Sequence, residues 1–264
     1  MSSPMMNRKK CFSGVAALLL ATASTFAMQA TAAQAGAVPR YADGKVRMDR
    51  VPGEKGFWDS PSASSLVEAG QQVEFLPNGK LRNIADAAKV APFQPWALAL
   101  YKYRQANDFV DDPMKVCIGP GNPRQMMTPG GVRFIQDTNY KRMYMIFGGG
   151  NRTWRVIYMD GRDPPVADEV SATFLGLAVG KWEGDTLVAT STGFNTRFWM
   201  SNGGLPHTEA LTLTERFKRV SKEVLEYEVT IDDPRTYTKP WKAKWNLRWV
   251  PGDIQEQFCE TGRE

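Results

Sequence analysis

The chain has 264 residues and a formal charge of +5, but three of its 33 basic residues, Arg8, Lys9 and Lys10, fall in an N-terminal stretch with no acidic residue. Without that stretch 30 basic residues face 28 acidic ones, a charge of +2, which leaves no basic excess for a nucleic-acid footprint. One histidine and no CxxC pair also leave too few soft donors for a zinc or copper centre, so neither a metal nor another cofactor is expected.

The basic stretch opens a secretory leader. It is followed by an apolar run from about Val15 to Ala27 and by Ala33-Gln34-Ala35, an A-x-A cleavage pattern. Cleavage is expected after Ala35, giving a periplasmic or secreted protein. The run is too short to span a bilayer, so no stable membrane insertion is expected after cleavage. Cys117 and Cys259 then remain, and an oxidising compartment favours a bridge between them. The alternative is two unpaired buried thiols.

Residues 36–72 are polar, contain glycine and lack periodicity, and are expected to form an N-terminal arm. Within them Gly56-Phe57-Trp58 matches the G-x-W pattern found near the start of lipocalins. Asn78-Gly79 between short apolar runs predicts a small hairpin. Pro95 at a first helical position predicts a helix over 95–107, with Trp96, Leu100 and Tyr103 inside and Lys102, Arg104 and Gln105 in water. From Asp111 to Gly131 the density of Pro and Gly excludes regular structure and predicts an ordered cover anchored by Cys117.

Short runs of Val, Thr, Leu and aromatic residues cut by turn residues then predict strands over 132–137, 142–147, 153–159, 175–182, 186–194, 211–220, 223–231, 241–249 and 254–259. Trp241, Ala243, Trp245, Leu247 and Trp249 alternate with Lys242, Lys244, Asn246 and Arg248, as half-buried strands do. The fold expected is mainly β: one domain over 73–264, an antiparallel, closed or nearly closed lipocalin-like barrel of about nine strands with one short N-terminal helix.

Six ordered blocks, PFQPWALALYKYR, the DP…C…PG.PR segment, YMDGR, GKWEGDTLVATSTGFN, LPHTEALTLTERF and DDPRTYTKPW, resemble a large family of secreted bacterial proteins without an established activity. The resemblance covers roughly residues 91–260 and implies secretion and a compact β-rich domain. The W-x-G-D-T-L-V hairpin and the G-x-W start are also similar to lipocalin-like barrels. Family members often carry a histidine where this chain has Thr212, so a mechanism needing that imidazole would be absent here.

Alternation places Glu215 on one face with Leu211, Leu213 and Phe217. A carboxylate there needs a cation, hydrogen-bond donors or a raised pKa. It is a candidate general acid or base, or the partner of an inward arginine such as Arg155. His207, two residues before Glu209, is a candidate proton shuttle, or an exposed loop residue with no role. Trp182, Asn195, Trp199, Glu209, Tyr227, Trp241 and Arg155 are candidates to line a pocket, with core packing as the alternative for the aromatic groups. Gly148-Gly149-Gly150 leads into a strand and fails the phosphate-loop context, and no G-x-S-x-G element is present. Two functions follow as expectations. One is a carrier or sensor that holds a small apolar or aromatic molecule inside the barrel. The other is a cofactor-free lyase, isomerase or hydrolase using Glu215 and His207.

Overall fold

The structure, a computed structural model, describes residues 36–60, 66–151, 153–255 and 259, so the expected leader lies outside the described residues. Nine strands close a barrel in chain order: β1 Phe57–Asp59, β2 Val132–Asp137, β3 Arg142–Phe147, β4 Trp154–Tyr158, β5 Leu177–Glu183, β6 Thr186–Thr192, β7 Thr212–Arg219, β8 Val224–Asp232 and β9 Trp241–Val250. The period of two decides which side chains go in. On β7 Leu213, Glu215 and Phe217 are buried, and on β8 Leu225, Tyr227, Val229 and Ile231 are buried. Their rings fill the interior: Phe134 lies 5.5 Å from Phe217, and Phe217 lies 5.0 Å from Tyr227.

Two features of the wall differ from the expected antiparallel meander. The first is a parallel seam, where β4 pairs with β5 only at Ile157 with Ala178 and Tyr158 with Val179. The connection between them contains Pro164 and Pro165, which cannot donate to a ladder, and no returning strand forms there. The second is the closure. Ile254 and Gln255 are not in a strand, because Pro251 and Gly252, with φ of 125° at the glycine, end β9. Instead β1 closes the barrel, pairing Trp58 with Trp249 of β9 and with Val132 of β2. Trp58 is fully buried, and its Nε1 donates to the Met48 carbonyl at 2.9 Å. The stretch expected as an arm therefore carries a barrel strand, and it also buries Val46 and Met48.

Before β2 the chain forms a cap. The Asn78-Gly79 hairpin is reduced to one bridge, Phe75 with Leu81. A short helix, α1, spans Ala87–Val90, and α2 spans Pro95–Ala106. The buried stripe of α2 is Ala97, Tyr101 and Gln105, while Trp96 (45% exposed) and Tyr103 (53%) face out. Hydrogen bonding overrides hydrophobicity here. Gln105 Oε1 accepts from the Leu81 N–H at 2.7 Å, and Nε2 donates to the Gly203 carbonyl at 2.8 Å. The Pro- and Gly-rich segment from Asp111 to Gly131 holds two 3-10 turns, Pro113–Val116 and Arg124–Met127, and no strand. It is locked by the buried Arg124–Asp112 pair, with bonds of 2.8 and 2.6 Å, and by a disulfide from Cys117 to Cys259.

Candidate functional site

Register brings three of the candidate residues together inside the barrel. Arg155 on β4 and Glu215 on β7 form an ion pair in which Arg155 Nη2 donates to Glu215 Oε2. The same Nη2 donates to Ser191 Oγ at 2.5 Å, and the Tyr227 hydroxyl donates to Glu215 Oε1 at 2.8 Å. All four side chains are buried. Burial, and then the Glu215 charge, push the Tyr227 phenol well above its ordinary pKa, so it stays a neutral donor. Arg155 Nε and Nη1 have no hydrogen-bond partner among the described residues. The two carboxylate oxygens are thus both engaged within the core.

His207 sits elsewhere, in the loop before β7. Its Nδ1 lies 3.2 Å from the Thr208 carbonyl and its Nε2 lies 3.2 Å from the Phe198 carbonyl, with the Phe198 ring 4.2 Å away. Burial pushes its pKa below the ordinary value, which leaves a neutral ring with one N–H for two acceptors. Its hydrogen-bond partners share no residue with those of Glu215. Glu209 is exposed. Trp199 is buried, with the Arg104 guanidinium 4.4 Å over its ring, and Trp241 is buried 5.4 Å from Tyr237. The Asn195 side chain accepts from the Arg197 N–H at 3.0 Å and shapes its own loop. Trp182 is half-buried at a separate groove of about 210 Å³. The candidates therefore fall into an interior cluster, an end-loop group and an isolated tryptophan.

A larger concavity lies on the outside, over β2, β3 and β4. It has a volume of about 790 Å³ and is walled by Ile135, Tyr144, Ile146, Trp154 and Ile254, with Arg133 as the one charged residue lining it among the described residues. Trp154 is 63% exposed and also borders a second groove, of about 570 Å³, with Val156, Tyr158 and Phe174. The far wall is the segment after β9, which reaches this face because Gly148 leaves room for it. A Cβ at Gly148 would meet Ile254 Cγ2 at 2.6 Å and the Gly130 carbonyl at 2.2 Å. Arg133 Nη2 donates to the Gly56 carbonyl at 3.2 Å and to Asp253 Oδ1 at 3.0 Å. Arg133, and then Lys55, hold the Asp253 carboxyl below the usual carboxylate range.

Sequence reasoning passed over this groove, although a signal was present. The runs Met143-Tyr144-Met145-Ile146-Phe147 and Trp154-Arg155-Val156-Ile157-Tyr158 are apolar on their outward positions, whereas the outward positions of β9 are charged. A strand apolar on both faces expects a partner on both. Among the described residues no group of three or more His, Cys, Asp or Glu could hold a metal ion, and no helix is long and apolar enough to cross a membrane. No family model, curated protein or solved structure matches the chain.

Proposed function

We propose that this is an exported protein that binds a small apolar or aromatic molecule against the outer wall of its barrel. One observation carries the reading: the groove of about 790 Å³ under Trp154, a volume within the range of small-molecule sites and lined mainly by apolar side chains. Export is supported by the leader pattern, by the resemblance to secreted bacterial proteins, and by the Cys117–Cys259 bridge, which fits an oxidising compartment. Inside the barrel the rings of Phe134, Phe217 and Tyr227 pack against one another, which favours a ligand on the outside. The acid–base alternative draws no support from the geometry, because Glu215 and His207 have separate partners and both are buried.

The test uses mature protein exported by its own host. Native mass spectrometry should find a retained small molecule. After its removal, the neutral fluorescent probe N-phenyl-1-naphthylamine should bind the parent and lose affinity in Trp154→Ser. The exposure of Trp154 means that this substitution should leave the melting temperature close to that of the parent. A protein that retains nothing and takes up no probe, or that binds the probe equally well without Trp154, would overturn the reading.

A further inference from the structure

The groove is apolar along most of its length but not at both ends alike. Arg133 stands at one end, beside Asp253, and Lys55 reaches the same carboxylate at 3.5 Å. Among the described residues two cations therefore share one anion at this end, a net positive charge. The Arg133 guanidinium is also incompletely used. Nη2 makes both of its hydrogen bonds, while Nε is buried without a partner and Nη1 has none among the described residues. Nη1 is therefore the donor left for an acceptor that a ligand delivers. A carboxylate accepts a charge-assisted hydrogen bond from such a free guanidinium N–H.

We infer that the ligand of this groove is an apolar monocarboxylic acid, its body on Trp154, Tyr144 and Ile146 and its carboxylate on Arg133. The inference rests on the binding function proposed above and adds the chemical class of the ligand. Charge disfavours the two other kinds of headgroup. A cation meets Arg133 and Lys55, and a neutral head leaves the excess positive charge unbalanced. Aromatic acids suit the site best, because Trp154 and Tyr144 offer ring edges and faces in a wall that is otherwise Ile135, Ile146 and Ile254.

Calorimetric titration of the mature protein with 2-naphthoate and with the neutral 2-naphthamide tests this directly. The carboxylate should bind about tenfold more tightly than the amide, the increment of one charge-assisted hydrogen bond. Added salt should weaken the carboxylate and leave the amide unchanged. Arg133→Gln should abolish the difference, and Arg133→Lys should keep part of it. Thermal melts report whether either variant has lost the fold. If Arg133→Gln does not fold, the carboxylate, amide and salt comparison on the parent protein decides alone. Equal affinity for the two compounds would overturn the inference and leave the binding function standing. Failure of both to bind, together with the neutral probe above, would remove both. Retained discrimination in a folded Arg133→Gln protein would also overturn the role given to Arg133.

Discussion

Inside the barrel buried Glu215 has one oxygen held by Arg155 and the other by Tyr227, so its charge is balanced within the core. Such pairs are costly to assemble and costlier to break, because removing one member strands the other. Arg155 already has two nitrogens without partners. Glu215→Gln keeps the shape, takes away the counter-ion, and should lower stability by about 3–5 kcal/mol, measured as a shift in urea midpoint at constant slope. Replacing both residues by leucine, together with Tyr227→Phe so that no buried hydroxyl loses its acceptor, should recover most of that loss. A Glu215→Gln protein as stable as the parent would refute a structural role for the pair. This cluster was partly legible in the sequence. Alternation alone put Glu215 among Leu211, Leu213 and Phe217 and offered Arg155 as its cation. The Tyr227 contribution needed the pairing of β7 with β8, and the sequence does not state register.

Among the elements, α2 separates what a sequence shows from what it hides. Pro95 marks the start of the helix, and the predicted end differs from the observed one by a single residue. Its buried face is another matter. Counting hydrophobicity turns Trp96 and Tyr103 inward, whereas the structure buries Gln105, whose amide serves backbone groups from two separate loops at Leu81 and Gly203. No local pattern reveals such distant demands, because they arise only when residues 24 and 98 positions away arrive beside the helix. Gln105→Ala should therefore cost about 2–4 kcal/mol, the penalty for losing the partner of the Leu81 N–H and the Gly203 carbonyl, with a third bond, to the Gly79 carbonyl, lost as well. Trp96→Ala should cost only about 1 kcal/mol, since its side chain is half in water and loses one hydrogen bond, to the Arg235 carbonyl at 2.8 Å. Denaturant midpoints that rank the two substitutions in the opposite order would contradict this account. Strand β1 was hidden for a different reason. Three residues are too few for a period of two to emerge, and only the buried Trp58 of the G-x-W pattern hinted at it.

At the scale of the molecule, eight of the nine strands, β2 to β9, were readable because hydrophobic runs and turn residues are local. The way the cylinder closes was not, because closure joins the ends of the chain. Of the segment expected to supply the last strand, Ile254 and Gln255 instead line the outer groove, residues 256–258 lie outside the described residues, and Cys259 is bonded to Cys117, 142 residues earlier. That bond encloses every strand from β2 to β9, so its loss should be felt in two ways. Globally, opening so large a loop in the unfolded chain should cost about 4–5 kcal/mol in the entropy model. Locally, residues 251–255 lose their anchor and the groove loses a wall. Replacing both cysteines by serine should therefore lower the melting temperature and, well below it, weaken probe binding and speed amide exchange in residues 252–255, with β7, β8 and β9 still protected. Thiol labelling of the denatured, unreduced protein should find neither cysteine free. Two labelled thiols would remove the bridge itself. A serine variant with the parent's melting temperature and the parent's affinity for the probe would show that the bond neither stabilises the barrel nor shapes the groove.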